Sequence, residues 1–96
     1  MKNAKDQYRE LFEKVREVIN KYDPEGLDPG KEDGTPIDEY DAEAAAIVAF
    51  VIHNLEEIKL NRTLLVNKVN QIWKEYFGEF CELADAIARD IIHQCS

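Results

Sequence analysis

Tyr22–Glu43, YDPEGLDPGKEDGTPIDEYDAE, separates one long amphipathic segment from a run of three more, and reading it as a loop decides the fold. All three prolines of the chain and three of its four glycines lie here, at Pro24, Gly26, Pro29, Gly30, Gly34 and Pro36. A residue before proline is pushed out of the α region, so Asp23-Pro24 ends whatever helix precedes it. Tight turns are expected at Asp28-Pro29-Gly30 and Asp33-Gly34. After Tyr22, which closes the first helical stripe, only Leu27, Ile37 and Tyr40 are large and apolar, and they are expected to pin the two ends of the loop to the helices. So long a connection in so small a domain is uncommon, and such loops are generally functional or mobile.

Outward from the loop, helical periodicity takes over. Before it, Tyr8, Leu11, Phe12, Val15, Val18, Ile19 and Tyr22 recur at spacings of three and four, one stripe of an amphipathic helix. Asn3 to Asp6 reads as its capping signal. After the loop, Asp41 is expected as N-cap of a second helix, with Glu43 in its first turn at the positive end of the dipole. Ala44, Ile47, Val48, Val51, Leu55 and Ile58 form its buried stripe, widened by Phe50 and Ile52. Because Ala42 to Ile52 is apolar most of the way round, this helix is expected at the centre, with the others packed on it. Asn61 is the next break and cap; Leu65, Val69, Ile72, Trp73, Tyr76 and Phe77 carry a third helix to Gly78, a left-handed stop. Phe80, Leu83, Ala84, Ile87, Ala88 and Ile91 mark a fourth. The expectation is a single all-α domain over residues 1–96, an antiparallel four-helix bundle with helices over about 4–22, 41–60, 62–77 and 79–93.

The charge is as unevenly placed as the turn residues. Between Tyr22 and Glu43, nine acids face Lys31 alone; the remainder of the chain has eleven acids and eleven bases, so the loop carries the whole net charge of −8. The bases are scattered, which argues against a nucleic-acid partner, since phosphate contacts need clustered Lys and Arg. No apolar run approaches the ~20 residues that span a bilayer, and the chain opens on charged residues, so neither a membrane nor a secreted address is expected but a cytosolic one. Cys81 and Cys95 are expected on one helix, roughly 21 Å apart at 1.5 Å per residue, too far for a disulfide. Both thiols are therefore expected reduced and structural; Cys81, near a helix start, is the one with a setting that could activate a thiol, and that catalytic reading is outweighed.

Catalytic and metal chemistry find little support. An EF-hand register begun at Asp28 puts Glu39 at position twelve but Asp33 where glycine is needed and Gly30 where a ligand is needed. A dinuclear bundle site needs two Glu-x-x-His units, and His53 and His93 do not supply them. Asp38-Glu39-Tyr40-Asp41 invites an acid–base reading, a carboxylate beside a phenol, but capping by Asp41 and packing of Tyr40 on the first helix account for the same residues. No enzyme, metal or cofactor is expected.

The half-motifs Tyr22-Asp23-Pro24-Glu25-Gly26-Leu27 and Pro36-Ile37-Asp38-Glu39-Tyr40-Asp41-Ala42-Glu43, with Phe77-Gly78 at a later helix end, resemble the YugE-like family, small bacterial all-helical proteins described only as a domain of unknown function. The resemblance implies a helical fold and no activity. The family tends to have tryptophan where Tyr22 stands, and a shorter loop lacking the acidic stretch around Lys31 to Gly34. Function is therefore read from charge: a small acidic protein-binding module of the immunity or antitoxin type, plugging a basic site on a bacterial toxin such as a nuclease. Its partner-binding residues are expected to be Asp28, Glu32, Asp33, Asp38, Glu39 and Tyr40, with Trp73, Tyr76 and Phe77 as a rival aromatic anchor. The competing reading is a YugE-like cytosolic protein, a homodimer through an apolar surface, whose acidic loop is merely solubilising.

Overall fold

The computed structural model describes residues 4–95, so the capping reading at Asn3 lies outside the described residues. Four helices occur in order, α1 (Ala4–Tyr22), α2 (Asp41–Leu60), α3 (Thr63–Phe77) and α4 (Ala84–Gln94). Each packs on two neighbours, α1 on α2 and α4, α3 on α2 and α4, closing an all-α ring around one core. The core takes Val15, Val18 and Ile19 from α1, Ala44, Ile47, Val48, Val51 and Ile58 from α2, Leu65, Val69, Ile72 and Trp73 from α3, and Ala84, Ile87, Ala88 and Ile91 from α4. These are the stripes that the spacings predict. Phe12 and Leu55 reach only its margin, while Ile52, expected to widen the buried face of α2, is 45 % exposed.

Local chemistry sets the ends of the helices. Gly78 closes α3 at φ 80°, its amide donating to the Lys74 carbonyl, as a left-handed C-terminal residue should. Asn61 ends α2, and its side-chain oxygen accepts from the Thr63 amide at 3.2 Å, helping to start α3. Within α2, Asn54 leaves helical geometry at φ −134°, ψ 23°, and its side-chain amide donates to the Phe50 carbonyl at 2.9 Å. Competition of this kind between Asn side chain and backbone is what kinks a helix.

Four expectations need correction. α4 starts at Ala84, not near 79: Cys81 is pinned by its amide donating to Asn70 Oδ1 of α3 at 3.0 Å, and the chain turns before Ala84, leaving Phe80 68 % exposed. Cys81 and Cys95 therefore do not share a helix; both thiols are free, Cys81 buried in the link and Cys95 just past α4. Asp41 is not an N-cap. Tyr40 holds that position with no side-chain cap bond, and the Asp41 carboxylate instead takes a two-pronged bond from Arg16 of α1, Nε to Oδ1 at 2.8 Å. Finally, α2 is not central. It packs chiefly on α1 and α3, and its outer side stays open.

Candidate functional site

The loop between α1 and α2 is built on Asp23. This residue ends α1 at φ 45°, a left-handed conformation that aspartate tolerates better than most, while its amide still donates to the Ile19 carbonyl. Its carboxylate then gathers the start and the end of the loop: Oδ1 accepts from the Leu27 amide at 2.8 Å and from the Tyr40 hydroxyl at 2.8 Å, and Oδ2 accepts from the Asp28 amide at 3.0 Å. The same Tyr40 oxygen accepts from the Glu25 amide at 2.9 Å. One tyrosine thus joins the beginning of the loop to its end. Burial by itself would raise the Asp23 pKa, but the bonds from Tyr40 and from the amides of Asp28 and Leu27 outweigh it, and the group sits below the ordinary carboxylate value. Burial, with the Asp23 carboxylate beside it, drives the Tyr40 phenol up, so it stays protonated and keeps donating.

Between these anchors the backbone folds on itself. Asp28-Pro29-Gly30-Lys31 is a turn closed by the Lys31 amide on the Asp28 carbonyl, with proline second and Gly30 third at φ 78°. A second turn closes from Gly34 to Lys31, one residue earlier than Asp33-Gly34 alone suggests. Thr35 returns to Leu27 through its amide and its hydroxyl, and Gly30 donates to the Thr35 carbonyl at 2.8 Å. Gly34 is required there, because a Cβ on it would overlap the Asp28 carbonyl. Ile37, expected as a pin on the helices, is 58 % exposed and only covers Gly30. The Ile37 carbonyl, not its side chain, makes the tie to α1, accepting from Asn20 Nδ2.

This frame decides where the candidate partner-binding residues go. Asp28, Glu32, Asp33, Asp38 and Glu39 are all exposed. Lys31 reaches Asp28 at 3.6 Å, and the other four have no ion pair among the described residues. Asp28, Lys31, Glu32, Asp33 and Gly34 line an open hollow of about 340 Å³ at the loop tip. Tyr40 does not belong with them: it is fully buried, its ring stacked on Trp73 at 5.9 Å and edge-on to Phe77 at 6.4 Å. Its ring packs on α3 and its hydroxyl reaches Asp23 at the end of α1, so it pins the loop from inside the core and is not presented to a partner. The rival aromatic anchor divides as well. Trp73 is core, Phe77 half-buried, and Tyr76 alone is 51 % exposed.

Two features escape sequence reasoning. Tyr22 donates to Asp90 at 2.6 Å, with Lys21 and Arg89 also on that carboxylate, tying the end of α1 to α4. Nothing in the spacing of Tyr22 and Asp90 signals it. Glu43 is only 5 % exposed and its Oε2 has no hydrogen-bond partner among the described residues; burial first, then the nearby Glu39 and Asp41, raise its pKa. Its place in the first turn of α2 predicts a favourable dipole but gives no sign of the burial. Burial likewise raises the Cys81 thiol above its ordinary value, the opposite of what an activated nucleophile needs. Among the described residues, no group of three or more His, Cys, Asp and Glu is placed to hold a metal ion, and no helix is long and apolar enough to cross a membrane.

The fold and this site define an all-α four-helix domain that displays an acidic, internally braced loop at one end. Compared with family models, with curated proteins and with solved structures, the chain finds no match.

Proposed function

We propose that the protein is a small acidic binding module whose α1–α2 loop docks on a basic protein surface, in the manner of an immunity or antitoxin protein that plugs a toxin's cationic site. The observation that carries this reading is the contrast within the loop. Its backbone is braced by Asp23, Tyr40 and Thr35, yet Glu32 and Asp33 at its tip are left exposed with no ion pair among the described residues. Holding like charges together costs free energy, and a cationic partner offsets it while the field speeds encounter. Bracing also lowers the ordering cost on binding. The test is co-purification of the chain with the products of its native neighbouring genes. A basic protein should be retained by the native chain and lost by the Glu32→Lys, Asp33→Lys double variant, whose helicity is unchanged because both positions lie outside the core.

A second reading has its own observation. The two half-motifs behind the YugE-like resemblance are the segments that the Tyr40–Asp23 bond joins, so those residues serve as a folding lock. On that reading the protein is a YugE-like helical domain and the acids around it are solubilising. Retention of the same partners by the double variant favours it.

A further inference from the structure

α2 is apolar round most of its circumference, but α1 and α3 cover only two of its sides. The Arg16–Asp41 bond fixes the register of the antiparallel α1–α2 pair and marks its half-exposed outer seam. Counting along both helices from that bond at about 1.5 Å per residue puts Phe12 level with Ala45, Tyr8 with Ala49, and Lys5 with Ile52. Helical periodicity keeps all of them on the seam side. The result is an open apolar face two helices wide: Tyr8 is 39 % and Ile52 45 % exposed, Ala49 is exposed, and Phe12 and Ala45 are half-covered. The Tyr8 and Phe12 rings lie against each other at 6.3 Å, and a hollow of about 240 Å³ opens among Lys5, Tyr8, Arg9 and Phe12. Single exposed apolar residues are ordinary, whereas a contiguous patch with a polar rim marks an interaction site.

The rim identifies the occupant. Beside the Arg16–Asp41 pair the exposed acids are Asp38 and Glu39, with Glu13 next to Arg16 on α1; at the other end the exposed charges are Lys5 and Arg9, with Glu56 one turn past Ile52. A face that is acidic at one end and basic at the other complements itself when turned over a two-fold axis perpendicular to the helices. We propose that the α1–α2 face binds a second copy of this chain. The two α2 helices run antiparallel with the axis near Ala45, and Lys5 and Arg9 of each copy approach Asp38 and Glu39 of the other. This goes beyond loop docking: it covers Asp38 and Glu39 and leaves Asp28, Glu32 and Asp33 to a heterologous partner.

Sedimentation equilibrium of the full chain tests it. The apparent mass should rise from the 11.1 kDa of one chain to twice that as concentration increases. Ala49→Glu, at an exposed helical position, should remain monomeric with unchanged helicity. Lys5→Glu with Arg9→Glu should weaken dimerisation by roughly tenfold or more, and adding Asp38→Lys with Glu39→Lys to the same chain should restore it. A monomer at every concentration, a dimer indifferent to Ala49→Glu, or a charge swap that fails to restore association would each overturn the proposal.

Discussion

At the scale of single residues, the loop depends on the bond between Tyr40 and Asp23. Tyr40→Phe keeps the ring on Trp73 and removes only the hydroxyl, leaving the Glu25 amide unpaired and Asp23 Oδ1 with the Leu27 amide alone. The expected loss is about 1–2 kcal/mol in denaturant unfolding, with faster amide exchange at Leu27 and Asp28 while the amides of α3 keep their protection. Glu43 supplies the opposite case. Its folded pKa lies above the unfolded value near ~4.3, so its ionisation opposes folding and stability is gained as pH falls from neutral through the folded value. Asp23 and Asp90 have folded pKa values below ~3.9, so the stability they contribute is present above that pH and is lost as pH falls through their folded values. The melting temperature should therefore rise on mild acidification and fall below about pH 4. Glu43→Gln should flatten the rise and leave the acid-side fall in place; an unchanged rise would place its cause in the net charge, not in Glu43.

Among the elements, the loop is the one whose internal order matters most. Gly34→Ala drives a Cβ against the Asp28 carbonyl, so the pairing of Leu27 and Thr35 should open while the four helices persist. The measurement is loop-specific: circular dichroism near the native value, with the amides of Gly30 and Thr35 losing protection. Equal protection in the variant would mean that the turn can shift at no cost. The helices themselves were legible from sequence because their buried stripes recur at three and four, from Val15 in α1 to Ile91 in α4. Gly78, Pro24 and Asn61 marked boundaries through backbone chemistry that is local. What was not legible depends on contacts distant in sequence. The late start of α4 is set by Asn70 holding Cys81, the role of Asp41 by Arg16, and the partners of Tyr40, though not its packing, by Trp73 and Asp23. The kink at Asn54 was hidden because an asparagine inside an apolar stripe can equally face solvent without competing for the backbone. For the candidate site, the acids were visible as composition; that they sit on a braced hairpin and not on a slack linker was not.

For the whole molecule, the charge is a dipole-like distribution: a balanced helical body and one end carrying the excess of −8. That distribution, with the exposed placement of Asp28, Glu32 and Asp33, is the basis for expecting a cationic partner. Such a field acts over about 8 Å at physiological ionic strength and further in dilute salt, so it governs encounter more than residence. The most direct measurement is the association rate with the co-purified partner as a function of salt. The native chain should associate several-fold faster in dilute than in physiological salt. The Glu32→Lys, Asp33→Lys variant should be slower in dilute salt and much less sensitive to it. A rate indifferent to salt, and equal in the two proteins, would contradict the assignment of the acidic loop as the binding surface.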